Sequence, residues 1–224
     1  MLVFSVNLEN MDQKELIEKT VEFISWRFRN EASGHDWFHT DRVRKLALFL
    51  AEEEGADLFV VEMAALLHEL DDWKLTDAED AGSLPQTYMW MKSLGLSSDM
   101  QEKIVSVIRD VSFKGAGVET PAHSPEAKVV QDADRLDAMG AIGIARTFAY
   151  GGNHNRLIYD PEIEPVLHNR FDAYQTSQAP TINHFYEKLL LLKDRMNTNS
   201  AKVLAEKRHQ FMEHYLSRFF DEWN

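Results

Sequence analysis

The sequence predicts an all-α fold in a single domain spanning residues 1–224. Three observations carry this. Apolar residues recur at helical spacing in segment after segment, and most of those segments open on a capping residue. Runs with the alternation of a strand are nearly absent. The 224 residues, enough for one large core, pass without an internal repeat, a low-complexity linker or a shift in composition.

The elements follow in order. Asp12 and Glu15 make a capping box ahead of LIEKTVEFISWRF. A second helix runs from about Asp36 to Glu54, and Gly55 is placed to end it. Asp57 caps a third, LFVVEMAALLHEL. Pro85 suits the first turn of a fourth, which Gly95 closes. Ser98 with Gln101 opens a fifth, MQEKIVSVIRDV, and Ser124 with Pro125 opens a sixth, EAKVVQDADRLDAM. AIGIARTFAY reads as a short buried helix, and two long amphipathic helices follow from about Thr181 and about Asn199. The stretches 113–123 and 151–165 lack periodicity, and loops of that length inside a compact domain are often functional.

Composition narrows the function. A formal net charge of -13 argues against a nucleic-acid polymer as partner, because gripping one needs dense Lys and Arg. A small phosphorylated molecule in a local basic pocket stays open, with a cation to offset the acidity. The absence of cysteine removes disulfides, thiolate metal sites and cysteine nucleophiles, and it fits a reducing compartment. The N-terminal MLVFSVNLEN is too short for a membrane span or signal peptide and lacks a basic lead, so a cytoplasmic protein with no membrane partner is expected.

Three stretches carry chemistry. In LLHELDDWKL, helical geometry puts His68 on the apolar, small-sided face of Val61, Ala64 and Ala65. Its two ring nitrogens then need partners, and alone it fits a hydrogen-bonded core histidine better than a ligand. In GHDWFHTDRV, His35 and His39 stand at i and i+4, a spacing that zinc pairs use and that many surface pairs share. In VVQDADRLDAMG, Val130, Ala133, Asp134 and Asp137 share a face, while Asp132 points elsewhere. Acids on an apolar face need compensation from arginine, backbone donors or a cation.

Taken together, His39, His68-Glu69 and Asp134 form an ordered set on separate helices. This set resembles the HD superfamily of metal-dependent phosphohydrolases, whose signature is H…HD…D on an all-α helical bundle. ALLHELDD is similar to the family's apolar helix ending in His-Asp, and DADRLDAMG to its final-acid helix. FKG and AIGIARTFAY resemble a subgroup of small bacterial members that act on nucleotides. One position departs: Glu69 stands where the family has Asp, with the same charge on a longer arm.

The resemblance implies a divalent metal held by His39, His68, Glu69 and Asp134, with Mn²⁺ or Mg²⁺ favoured. Asp71 and Asp72 are candidates to act on the attacking water. Arg42, Lys74, Lys114 and Arg146 are candidates to bind phosphate, with Asp137 favoured over phosphate as the partner of Arg146. Tyr150 and the 151–165 loop could wall a base or sugar. The expected reaction is hydrolysis of a nucleoside triphosphate to monophosphate and pyrophosphate. Dephosphorylation of a monophosphate is the close alternative, and Glu69 motivates a second, a non-catalytic nucleotide-binding or regulatory domain. A two-iron oxygenase is disfavoured, because only His123 lies between Glu69 and Asp134.

Overall fold

The core forms around a helix with almost no exposed side. In the computed structural model, which describes residues 11–31, 34–71, 83–111, 116–170 and 177–223, α3 (Leu58–Leu67) buries every residue except Leu58 and Glu62. Such a helix cannot lie on a surface and must be enclosed. It is enclosed by α1 (Gln13–Arg27), α2 (Trp37–Glu54), α5 (Ser98–Val111) and α6 (Pro125–Asp137), which pack around it. Ala47, Ala51, Ala64 and Ala65 are all buried at these contacts, and their small side chains let the helices approach closely. The short α4 (Pro85–Ser93) leans on α5, and its Trp90 stacks on Phe23 of α1 at 4.0 Å between ring centroids. Beyond α6 come α7 (Gly140–Asn153), α8 (Asn183–Glu187), two 3₁₀ turns (Leu189–Leu191 and Lys193–Arg195) and the long α9 (Asn199–Trp223). Among the described residues there is no strand, and no helix is long and apolar enough to cross a membrane.

The caps explain why the helices start where they do. Asp12, Asp36, Asp57 and Ser124 each accept a backbone N–H two or three residues ahead. Gly55 ends α2 at φ 71°, a left-handed conformation that only glycine adopts without strain. At α5 the bond comes from Met100 N to Ser97 Oγ, one residue earlier than expected. Three expectations need correction. α3 stops at Leu67, and His68 to Asp71 form a turn rather than a last helical turn. α7 is only partly buried and runs on to Asn153, with Ile142 nearly half exposed. The predicted long helix from Thr181 is a short α8 followed by 3₁₀ turns.

Asp132 ties the two ends of this arrangement together. It is fully buried, and its carboxylate accepts from Asn197 N (2.9 Å), Asn197 Nδ2 (2.8 Å), Thr198 N (2.8 Å) and Thr198 Oγ1 (2.7 Å). It thereby fixes the start of α9 against α6. Further along α9, Arg208 donates to the Leu136 carbonyl and packs over Gly140, where a Cβ would sit 3.1 Å from Arg208 Cγ. Replacing Asp132 by Ala leaves buried N–H groups without acceptors, and each costs about 1–3 kcal/mol. Asp132→Ala should therefore lose at least about 2 kcal/mol in urea unfolding, and a loss under about 0.5 kcal/mol would remove Asp132 from this role.

Candidate metal centre

Four side chains from three separate segments meet where α2, α6 and the turn after α3 come together. His39 stands in the first turn of α2, His68 and Glu69 follow α3, and Asp134 lies near the end of α6. One ligand atom from each lies within 4.8 Å of all the others. Glu69 Oε1 is 3.1 Å from His39 Nε2 and 3.5 Å from His68 Nε2. Asp134 Oδ1 is 3.6 Å and 3.9 Å from the same two nitrogens. His39, His68 and Glu69 are buried, and Asp134 keeps 28% of its side-chain exposure, so the group opens to solvent on that side.

The hydrogen bonds behind the imidazoles fix what they present. His68 Nδ1 lies 2.8 Å from the Ala65 carbonyl, which can only accept, so Nδ1 carries the proton. His39 Nδ1 lies 2.8 Å from Asp137 Oδ2, which likewise accepts. In their neutral forms both rings therefore aim an Nε2 lone pair at the two carboxylates. Four acceptors that face one another repel. At an effective dielectric of about 20, two carboxylates this close cost about 3 kcal/mol or more. His68 Nε2 and Glu69 Oε2 are also buried without a hydrogen-bond partner. Burial alone would lower the His68 pKa, but Glu69 and Asp134 outweigh it and the group is pushed up to about 9. Burial likewise opposes ionisation of Glu69, yet the neighbouring histidines hold it well below the usual carboxylate range. The centre demands positive charge, and two nitrogen and two oxygen donors suit a divalent first-row metal.

Behind this group sits a second layer centred on Asp137, which is buried. Its oxygens accept from His39 Nδ1, from Arg42 Nε (2.7 Å) and NH2 (3.0 Å), and from Arg146 NH1 (3.0 Å). Burial pushes its pKa up, but the bonds from His39 and Arg42 dominate and hold it well below the usual carboxylate range. Arg146 also donates through Nε to the Gly34 carbonyl at 2.7 Å. A carboxylate behind a ligating imidazole sets the tautomer and the ring angle.

With this geometry in hand, likeness to known proteins has a physical meaning. Residues 37–139 match the HD domain family. The uncharacterized protein YpgQ of Bacillus subtilis is 40% identical over 92% of this chain and 91% of its own. This chain belongs to the HD domain family. Among solved structures, an HD-superfamily hydrolase from Bacillus thuringiensis is 44% identical, with a TM-score of 0.70 over 95% of this chain and 99% of that one. A Lactobacillus plantarum protein reaches a TM-score of 0.85 at 36% identity, covering 95% and 98% of the two chains. YpgQ in complex with ADP superposes with a TM-score of 0.72 at 36% identity, covering 92% and 97%. The fold is that of the HD-superfamily hydrolases.

The centre opens into a cleft walled mostly by residues beyond the matched HD segment. One wall is a face of α7: Gly143, Arg146, Thr147 and Tyr150. The other comes from Thr181, His184, Glu187, Lys188 and Leu189 around α8, and Arg156 and Ser177 complete it. His35 stands at the junction, its Nδ1 2.9 Å from Glu69 Oε1. Of the sequence candidates, His39, His68, Glu69 and Asp134 converge and Arg146 borders them. Arg42 does not line the cleft: both its bonds go to Asp137. Asp72, Lys74 and Lys114 lie outside the described residues. Asp71 faces elsewhere, contrary to the expectation that it acts on water. Its oxygens accept from Gln86 N (3.0 Å) and Thr87 N (2.8 Å) and so cap α4, which has no other side-chain cap. His35, His184 and Lys188 also border the cleft; the i, i+4 spacing of His35 to His39 is common, and nothing in the stretch after Thr181 sets His184 and Lys188 apart from ordinary polar positions of an amphipathic helix.

The two acids should separate in one experiment. Asp71→Ala should cost about 1–2 kcal/mol of stability, as loss of a cap does, while leaving Mn²⁺ affinity within about twofold. Asp137→Asn should weaken Mn²⁺ binding by about 10- to 100-fold. Calorimetric titration beside urea unfolding measures both, and the reverse pattern would exchange their roles.

Proposed function

We propose that this chain is a cytoplasmic, metal-dependent hydrolase of nucleotide phosphate bonds, cutting nucleoside triphosphates to monophosphate and pyrophosphate. The observation that carries this reading is the opposed set of two Nε2 lone pairs and two carboxylates at the head of a cation-bearing cleft. His39, His68, Glu69 and Asp134 would hold the metal, with Mn²⁺ or Mg²⁺ the expected ion. Bound there, it supplies a Lewis acid and a water of lowered pKa. The residues do the rest. Asp137 locks His39 in the ligating tautomer, and Arg42 and Arg146 keep Asp137 ionised. Arg146 also presents its charge to the cleft beside Asp134, where it can meet a phosphoryl oxygen. The buried walls around His39 and His68 limit water and strengthen every charge interaction at the reacting end. The ADP complex of the related YpgQ supports a nucleotide as substrate.

The reach of Glu69 favours a catalytic domain over a non-catalytic nucleotide-binding one. The longer arm still delivers Oε1 to within 3.1 Å of His39 Nε2, and His35 braces it from the other side. Dephosphorylation of a monophosphate uses the same residues and stays the close alternative. A panel of nucleoside mono- and triphosphates with Mn²⁺, with phosphate resolved from pyrophosphate, tests the choice. Pyrophosphate is the expected product, and phosphate release from monophosphates alone would shift the assignment to a phosphatase. His68→Ala should abolish turnover in a folded protein, and Glu69→Gln should raise the Mn²⁺ needed for half-maximal activity. Nucleotide binding without turnover at any metal would end the hydrolase reading.

A further inference from the structure

The cleft's arginines are not equivalent. Arg42 lies outside it and is bidentate to Asp137. Arg146 lines it but already serves Asp137 and the Gly34 carbonyl. Arg156 differs. Its NH2 donates to the Ser177 carbonyl at 2.6 Å, its Nε is buried with no hydrogen-bond partner, and among the described residues it meets no carboxylate. Glu187, the acid on the facing wall, accepts instead from Val166 N at 3.1 Å. A half-buried guanidinium that lines a cleft and meets no counter-charge among the described residues is suited to receive an anion.

The chain builds this position with care. Arg156 N bonds to the Gly151 carbonyl at 2.9 Å, directly after α7. The next two residues pair with the facing wall, Thr181 N to Leu157 O at 2.8 Å and Ile182 N to Ile158 O at 3.0 Å. The walls meet at Gly151, where a Cβ would lie 2.3 Å from Thr181 Oγ1. The guanidinium rests 5.4 Å from the centroid of the Tyr150 ring, which also stacks on His154 at 3.9 Å and meets His35 edge-on at 6.2 Å between ring centroids. Tyr150 thus touches both Arg156 and His35, while Arg156 makes no hydrogen bond or ion pair with His39, His68, Glu69 or Asp134. Arg156 borders the same cleft as Glu69 and Asp134 without belonging to the metal centre.

We propose that Arg156 binds a second phosphate of the substrate, so that the site selects chains of two or more phosphates over a single phosphate. This deepens the proposed function and rests on it. The planar fork of Arg156 suits two phosphoryl oxygens at once, and its stacking on Tyr150 holds the fork in place before substrate arrives.

Calorimetric titration of the full chain in Mn²⁺ tests this with two probes. One is α,β-methylene ADP, which resists cleavage between its phosphates, and the other is inorganic phosphate. Arg156→Gln should weaken the methylene diphosphate by about tenfold or more and leave inorganic phosphate within about twofold. Arg156→Lys, which keeps the charge but loses the fork, should fall between. Circular dichroism and melting confirm that each variant is folded, and should Arg156→Gln fail to fold, Arg156→Lys carries the comparison. Unchanged binding of the diphosphate overturns the proposal, as does equal weakening of both probes. If the parent binds neither probe, the inference falls together with the nucleotide reading. If the parent binds and Arg156→Gln does not, yet no nucleotide is hydrolysed, the inference stands and the hydrolase reading falls.

Discussion

The carboxylate of Asp137 holds the centre together. It is buried, yet it is met by one imidazole and two guanidinium groups, from His39, Arg42 and Arg146. A buried carboxylate survives ionised only with such company. The same contacts reach forward and outward. Through His39 they fix which nitrogen faces Glu69 and Asp134, and through Arg146 they reach the Gly34 carbonyl and so seat the entry to α2. The negative charge needed behind the imidazole and the positive charge needed beside the cleft neutralise each other. The domain can therefore keep three carboxylates close together while its overall charge is strongly negative.

Much of this was legible in the sequence. The caps at Asp12, Asp36, Asp57 and Ser124 were readable because a side chain bonding two or three residues ahead is a local event. The convergence of His39, His68, Glu69 and Asp134 was readable from the resemblance of their ordered pattern to the HD family, since the helical faces alone left His68 a hydrogen-bonded core histidine. What failed was chemistry that depends on distant partners. Asp71 follows the His-Glu pair in sequence, but the turn after α3 aims it at the N-terminus of α4. The wall around α8 was misread as a long helix because Leu189, Leu192 and Met196 are buried at spacings of three and four. Over so short a run, that spacing does not distinguish a 3₁₀ turn from an α-helix. Arg156 carries no periodic signal. Its meaning comes from what surrounds it: Tyr150 and Ser177 in contact, and no carboxylate meeting it among the described residues.

The reading of Glu69 shows the same limit from the other side. On the page it was a departure from a family pattern. In space the longer arm is part of a contact, with His35 against one oxygen. A residue's fitness for a site is a property of the cage around it, and the cage here includes a histidine whose role its own sequence position does not announce.

The near-total burial of α3 has a kinetic consequence. Amides of a helix enclosed on all sides open to solvent only when the whole domain does, so they belong to the slowest class of hydrogen exchange. His68 and Glu69 leave directly from that helix and share its rigidity. The opposite wall of the cleft is a five-residue helix and two 3₁₀ turns, which hold few backbone bonds in series and are held instead by the burial of Ile182, Phe185, Leu189 and Leu192. The two walls of the cleft thus depend on different forces, backbone hydrogen bonding within an enclosed helix on one side and side-chain packing on the other.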